Sequence, residues 1–99
     1  MTPTESVNKW LENKRSVYFF LPSGPYGRPF DNQYYVDKVQ DLKDGLIIYF
    51  KDNLVLRFYG TVTVLETDTK LIIENFRICE FEIDGEIKHK YDYGHVSLC

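Results

Sequence analysis

Long apolar runs are missing from this chain, and with them a membrane helix: no window approaches the roughly 20 apolar residues needed to cross a bilayer. The N-terminal stretch MTPTESVNKWLENKR has no basic segment leading into an apolar one, so no export signal is read there and a cytoplasmic protein is expected. Cysteine is scarce. Cys79 and Cys99 are the only two, without a C-x-x-C motif or the dense spacing of a disulfide scaffold. Cys79 is expected as a small core residue and Cys99 as a free thiol at a fraying end; a disulfide between them would imply export. Positive charge is also short, with 12 Lys and Arg against 15 Asp and Glu and a net charge of -3. Nucleic-acid affinity rests on cations neutralising phosphates, so a nucleic-acid partner is disfavoured. The only histidines, His89 and His95, have no Cys or carboxylate nearby at metal-ligand spacing. No G-x-S-x-G, H-E-x-x-H, P-loop or dinucleotide fingerprint occurs, so no cofactor, metal or catalytic residue is assigned.

Apolar bulk is present instead. Hydrophobic residues make up 43% of the 99 residues and aromatics 16%, including eight Tyr and seven Phe, which places the chain among self-folding single domains. Val7, Trp10, Leu11 and Lys14 fall on one helical stripe behind Thr4 as a candidate N-cap, predicting a helix from about Glu5 to Arg15. A helix this short needs a docking surface. Beyond it the 3.6-residue period gives way to β-branched and aromatic runs: VYFFL, YYVDKVQDLK, LIIYF, LVLRFYG, TVTVLE, KLIIE, FRICEFEI, EIKHKY and HVSL. Asp44–Gly45 and Asp84–Gly85 are hairpin signals of the type I′ kind. On strict alternation Tyr34, Val36 and Lys38 share one strand face, and His89 shares one with Ile87, Tyr91 and Tyr93. The fold expected is mainly β, of the α+β class: an N-terminal helix, then a curved antiparallel meander of about eight or nine short strands. LIIYF and LVLRFY are apolar on both faces, so the sheet must fold back as a partly closed β-barrel or a two-layer sandwich.

The segment LPSGPYGRPFDN, residues 21–32, holds three of the four prolines and two of the six glycines between two strand-like runs. Prolines restrict their own φ and the residue before them, so this loop has little conformational entropy left to lose. Such a loop either closes one end of the fold or holds Tyr26, Arg28, Asp31 and Asn32 ready for a partner. Arg28 is spaced to lock the loop through Asp31 or to face an anionic group outside it. Leu21, Pro22, Gly24, Gly27, Arg28, Pro29, Asp31 and Asn32 match a segment of the type L-P-D-G-W-F-G-R-P-Y-D-N. The chain thereby resembles a group of small bacterial proteins with an all-β body and a short C-terminal hairpin, a group without an established activity. Pro25 stands where that segment has an aromatic. The resemblance implies an all-β fold and no specific chemistry.

Glu80 and Glu82 lie on one strand face and are expected as a solvated row. The many tyrosines suit a recognition surface, because each carries a hydroxyl that needs water or a partner. Small size, acidic balance and the missing catalytic motifs point to a non-enzymatic protein-interaction domain, with an immunity- or antitoxin-like inhibitor of a basic protein as one version. The alternative is a small-molecule, sugar or anion binder in a barrel mouth with Arg28 as anchor. A homodimer through an exposed edge such as TVTVLE is also open.

Overall fold

In the computed structural model, which describes residues 2–12, 14, 16–22, 24–25 and 34–99, the N-terminal helix α1 spans Pro3–Leu11. It starts and ends earlier than the apolar spacing predicts. Thr2, not Thr4, is the N-cap: the Glu5 backbone N–H donates to Thr2 Oγ1 at 3.1 Å, and the Thr2 hydroxyl donates to Glu5 Oε1 at 3.1 Å. Pro3 suits the first helical position, where no backbone N–H is needed. Thr4 is used elsewhere, its hydroxyl donating to Asp41 Oδ1 at 2.8 Å.

The strands are β1 (Phe19–Leu21), β2 (Gly24–Pro25), β3 (Val36–Leu42), β4 (Gly45–Phe50), β5 (Leu54–Tyr59), β6 (Thr63–Glu66), β7 (Leu71–Glu74), β8 (Ile78–Ile83), β9 (Glu86–Tyr91) and β10 (His95–Leu98). They form two antiparallel sheets, ordered β2-β1-β10-β7-β6 and β3-β4-β5-β8-β9. The two-layer arrangement is therefore the one adopted, and the sheets do not close into a barrel. Between them lies one core drawn from both layers: Leu46, Ile48, Leu56, Phe58 and Phe81 from one, Leu71, Ile73, Val96 and Leu98 from the other. Val7 and Trp10 of α1 join it, and α1 packs against β3 and β6, the outermost strands of the two sheets on its side. Trp10 Nε1 donates to the Thr67 carbonyl at 2.9 Å, fixing the helix to the β6–β7 turn.

At one corner the chain passes directly from sheet to sheet. Val17 exchanges two backbone hydrogen bonds with Tyr34, which leads into β3, and the next residue, Tyr18, exchanges two with Cys99 beyond β10. Cys99, expected at a fraying end, is thus held by backbone pairing. Both cysteines are free thiols, Cys79 fully buried.

Two departures from simple alternation set which side chains face out. A bulge at Asp37 pairs Val36 with Phe50 but Lys38 with Tyr49, so Val36 and Val39 face the core and Lys38 faces away. A second at Lys88 pairs Phe81 with His89 but Glu82 with Ile87, so His89 and Ile87 lie on opposite faces, not on one as alternation predicts. The two Asp-Gly dipeptides also differ. Asp84 and Gly85 have φ of 52° and 83°, both positive as a type I′ turn requires. At the first, only Gly45 has positive φ, and it already pairs with Leu42 as the first residue of β4. The turn there is Lys43–Asp44.

Candidate functional site

Tyr26, Arg28, Asp31 and Asn32, the residues singled out in the Gly/Pro loop, lie outside the described residues, as does most of the segment that carries the resemblance. Of that segment, Leu21 is a core residue on β1, and Gly24 of β2 pairs with it. The barrel mouth expected around Arg28 has no counterpart, because the sheets stay open.

Polar and aromatic groups are concentrated at the β8–β9 hairpin and the turn that follows. Along β8, Cys79 and Phe81 point into the core, while Glu80 and Glu82 share the outer face. These two carboxylates are not a solvated row. Arg57 of the neighbouring β5 donates from Nη1 to Glu82 Oε1 at 2.7 Å, and the two side chains are only 23% and 17% exposed. That hydrogen bond is the main reason the Arg57 pKa lies above its ordinary value, burial acting against it. Lys90 of β9 lies 3.6 Å from Glu80. Lys88 donates to Glu86 at 2.8 Å, which lowers the Glu86 carboxyl pKa on the solvent side of the hairpin.

Aromatic rings run outward from the core along the other face. The buried Phe81 ring lies 6.2 Å from His89 and nearly parallel to it; His89 is 5.9 Å from Tyr91, and Tyr91 is 5.9 Å from Tyr93 in an edge contact. Tyr93 is 58% exposed at the end of this row, and Ile87 is 45% exposed on the opposite side of β9. A shallow recess of about 280 Å³ is lined by Ile78, Lys90, Tyr91 and Asp92. The spacing of His89, Tyr91 and Tyr93 was legible as a row in the sequence. What the sequence hid was the bulge that separates the row from Ile87 and places it against Phe81.

Charge is distributed unevenly as well. From Cys79 to Gly94 the chain carries Glu80, Glu82, Asp84, Glu86 and Asp92 against Lys88 and Lys90, an excess equal to the net charge of the whole chain. The remainder is electrically balanced.

Comparison with protein families, curated proteins and solved structures finds no match. Among the described residues no cluster of three or more His, Cys, Asp or Glu is placed to hold a metal ion, and no helix is long and apolar enough to span a membrane. His95, the other histidine, opens β10 in the other sheet, two residues beyond Tyr93. The arrangement suits contact with a surface: a row of rings for apolar area, acids on the opposite face of the hairpin and at Asp92, and a recess smaller than a small-molecule pocket commonly is.

Proposed function

We propose that this chain is a non-enzymatic protein-interaction domain that docks a basic protein through the β8–β9 hairpin, an immunity- or antitoxin-like inhibitor being one version. The observation that supports this reading is the coincidence of the chain's entire acidic excess with Tyr93, the most exposed aromatic among the described residues, in the hairpin and the turn that follows it. Aromatic side chains supply contact area at small entropic cost, and a ring of like charge steers and orients a partner of opposite sign. The α1 helix and the two sheets act as the scaffold that holds the hairpin still.

The test is affinity capture from extracts of the source cells at low salt with the immobilised chain, alongside Tyr93→Ala and Asp92→Lys. The expected outcome is a specific basic partner whose capture weakens with added salt and falls by about tenfold or more in each variant, as for residues near the centre of an interface. Recovery of no specific protein, or of one held equally well by both variants, overturns the reading.

A further inference from the structure

The outer face of the first sheet carries a different pattern from that of the second. On the second, the charges satisfy one another: Arg57 with Glu82, Lys90 with Glu80, and the Lys38 ammonium 4.8 Å above the Tyr49 ring. On the first, the register aligns Phe20, Ser97, Ile72 and Leu65 in one row across four strands. Their neighbours along each strand, among them Leu21, Val96, Leu98, Leu71, Ile73 and Val64, belong to or pack on the core, so this row faces away from it. Three of its four members are apolar; Leu65 is 48% exposed, Phe20 and Ile72 are half-buried, and Ser97 between them is only 6% exposed. An outward row on an antiparallel sandwich is ordinarily polar.

Two charges flank that row, Lys70 in the turn just before β7 and Glu74 at its end. Lys70 and Glu74 stand two residues either side of Ile72, about 7 Å away in each direction and on the same face. Among the described residues neither makes an ion pair. Their signs are opposite, and this makes the face complementary to itself. A two-fold axis lying along the row, between two copies facing each other, reverses the strand direction while keeping each residue of the row opposite its own twin. Lys70 of each copy then lies over Glu74 of the other, twice by symmetry, around a strip of Ile72 and Leu65.

From this complementarity we infer that a second copy of the chain covers this face, forming an isologous dimer through the outer side of the first sheet. The contact is face to face, distinct from pairing through the TVTVLE edge, where α1 packs against β6. It is also independent of the β8–β9 hairpin, which lies in the other sheet.

Charge reversal tests the geometry. The mass of the full chain is measured in solution by sedimentation at about 0.1 mM, where a dimer with a Kd of roughly 10 μM or tighter is mostly assembled. The wild type is expected to be dimeric. Lys70→Glu or Glu74→Lys alone sets like charges opposite each other at both symmetry-related contacts and weakens the dimer about tenfold or more. Combining the two reversals restores it. Leu65→Glu gives a monomer, with circular dichroism confirming that its fold is unchanged. A monomeric wild type overturns the inference, and so does a dimer that persists in Leu65→Glu and in both single reversals, or one that the combined reversal fails to restore.

Discussion

A Cβ at residue 45 would sit 1.8 Å from the carbonyl oxygen of Phe58, on the adjacent strand, and 2.8 Å from its carbon. Neither atom can move without breaking the β4–β5 ladder, in which Gly45 pairs with Tyr59. At residue 85 the same added atom meets nothing within 4 Å, and the only penalty is the positive φ of 83°. Two glycines that follow aspartate in the same dipeptide are therefore required for different reasons, close backbone approach at one and turn conformation at the other. Gly85→Ala is expected to lower stability by about 1 kcal/mol, and Gly45→Ala by about 3 kcal/mol or more. Urea unfolding monitored by Trp10 fluorescence measures both; equal losses would mean that the close approach at Gly45 relaxes freely.

At the scale of elements, α1 turns two bare margins of the sandwich into one covered side. Thr4 ties it to β3 through Asp41, and Trp10 ties it to the β6–β7 turn through Thr67, with the Lys14 ammonium 4.2 Å above the indole. The indole acts both as buried volume and as a hydrogen-bond donor. Trp10→Phe, which keeps most of the volume and removes the donor, is expected to destabilise by about 1 kcal/mol, and Trp10→Ala by about 3–5 kcal/mol. Denaturant midpoints followed by circular dichroism separate the two; a Phe variant as damaged as the Ala variant would assign the whole effect to the lost donor. The helix, the strand runs and the two-layer requirement were all legible in the sequence, because apolar periodicity and the doubly apolar LIIYF and LVLRFY report burial directly. The bulges at Asp37 and Lys88 were not. An inserted residue leaves the composition of a strand unchanged and reverses the face of everything beyond it, so alternation assigned Lys38 and Ile87 to the wrong sides. The departure of β6 and β7 into the other sheet was hidden for a related reason. It is set at Gly60, where φ is 105° and a Cβ would meet the Arg77 backbone at 2.9 Å, while the Arg77 N–H bonds the Tyr59 carbonyl at 2.7 Å and seats β8 beside β5. That is a contact between residues far apart in sequence. Of the candidate site, the Tyr and acid content of the hairpin was visible, whereas its convergence on one margin needed the register.

At the scale of the whole molecule, Cys79 links the core to pH. Its thiol is fully buried between the sheets, beside Phe58 and Tyr91 in the ladder, and burial pushes its pKa from an ordinary 9.0 to about 12, with the Glu80 carboxylate adding in the same direction. An unfolded chain releases this proton near pH 9 while the folded chain retains it, so between pH 9 and about 12 the folded state binds more protons than the unfolded. Stability then falls as pH rises through that window; below pH 9 the thiol is neutral in both states and contributes no slope. Tyrosines and lysines titrate in the same range, so the informative quantity is a difference. In Cys79→Val, which keeps an apolar side chain in the site, unfolding free energy is expected to decline less steeply than in the wild type above pH 9 and in parallel with it below. Parallel curves across the whole range would mean that the buried thiol ionises as readily in the fold as in the open chain. The same burial makes Cys79 unreactive toward an aqueous thiol reagent until the core opens.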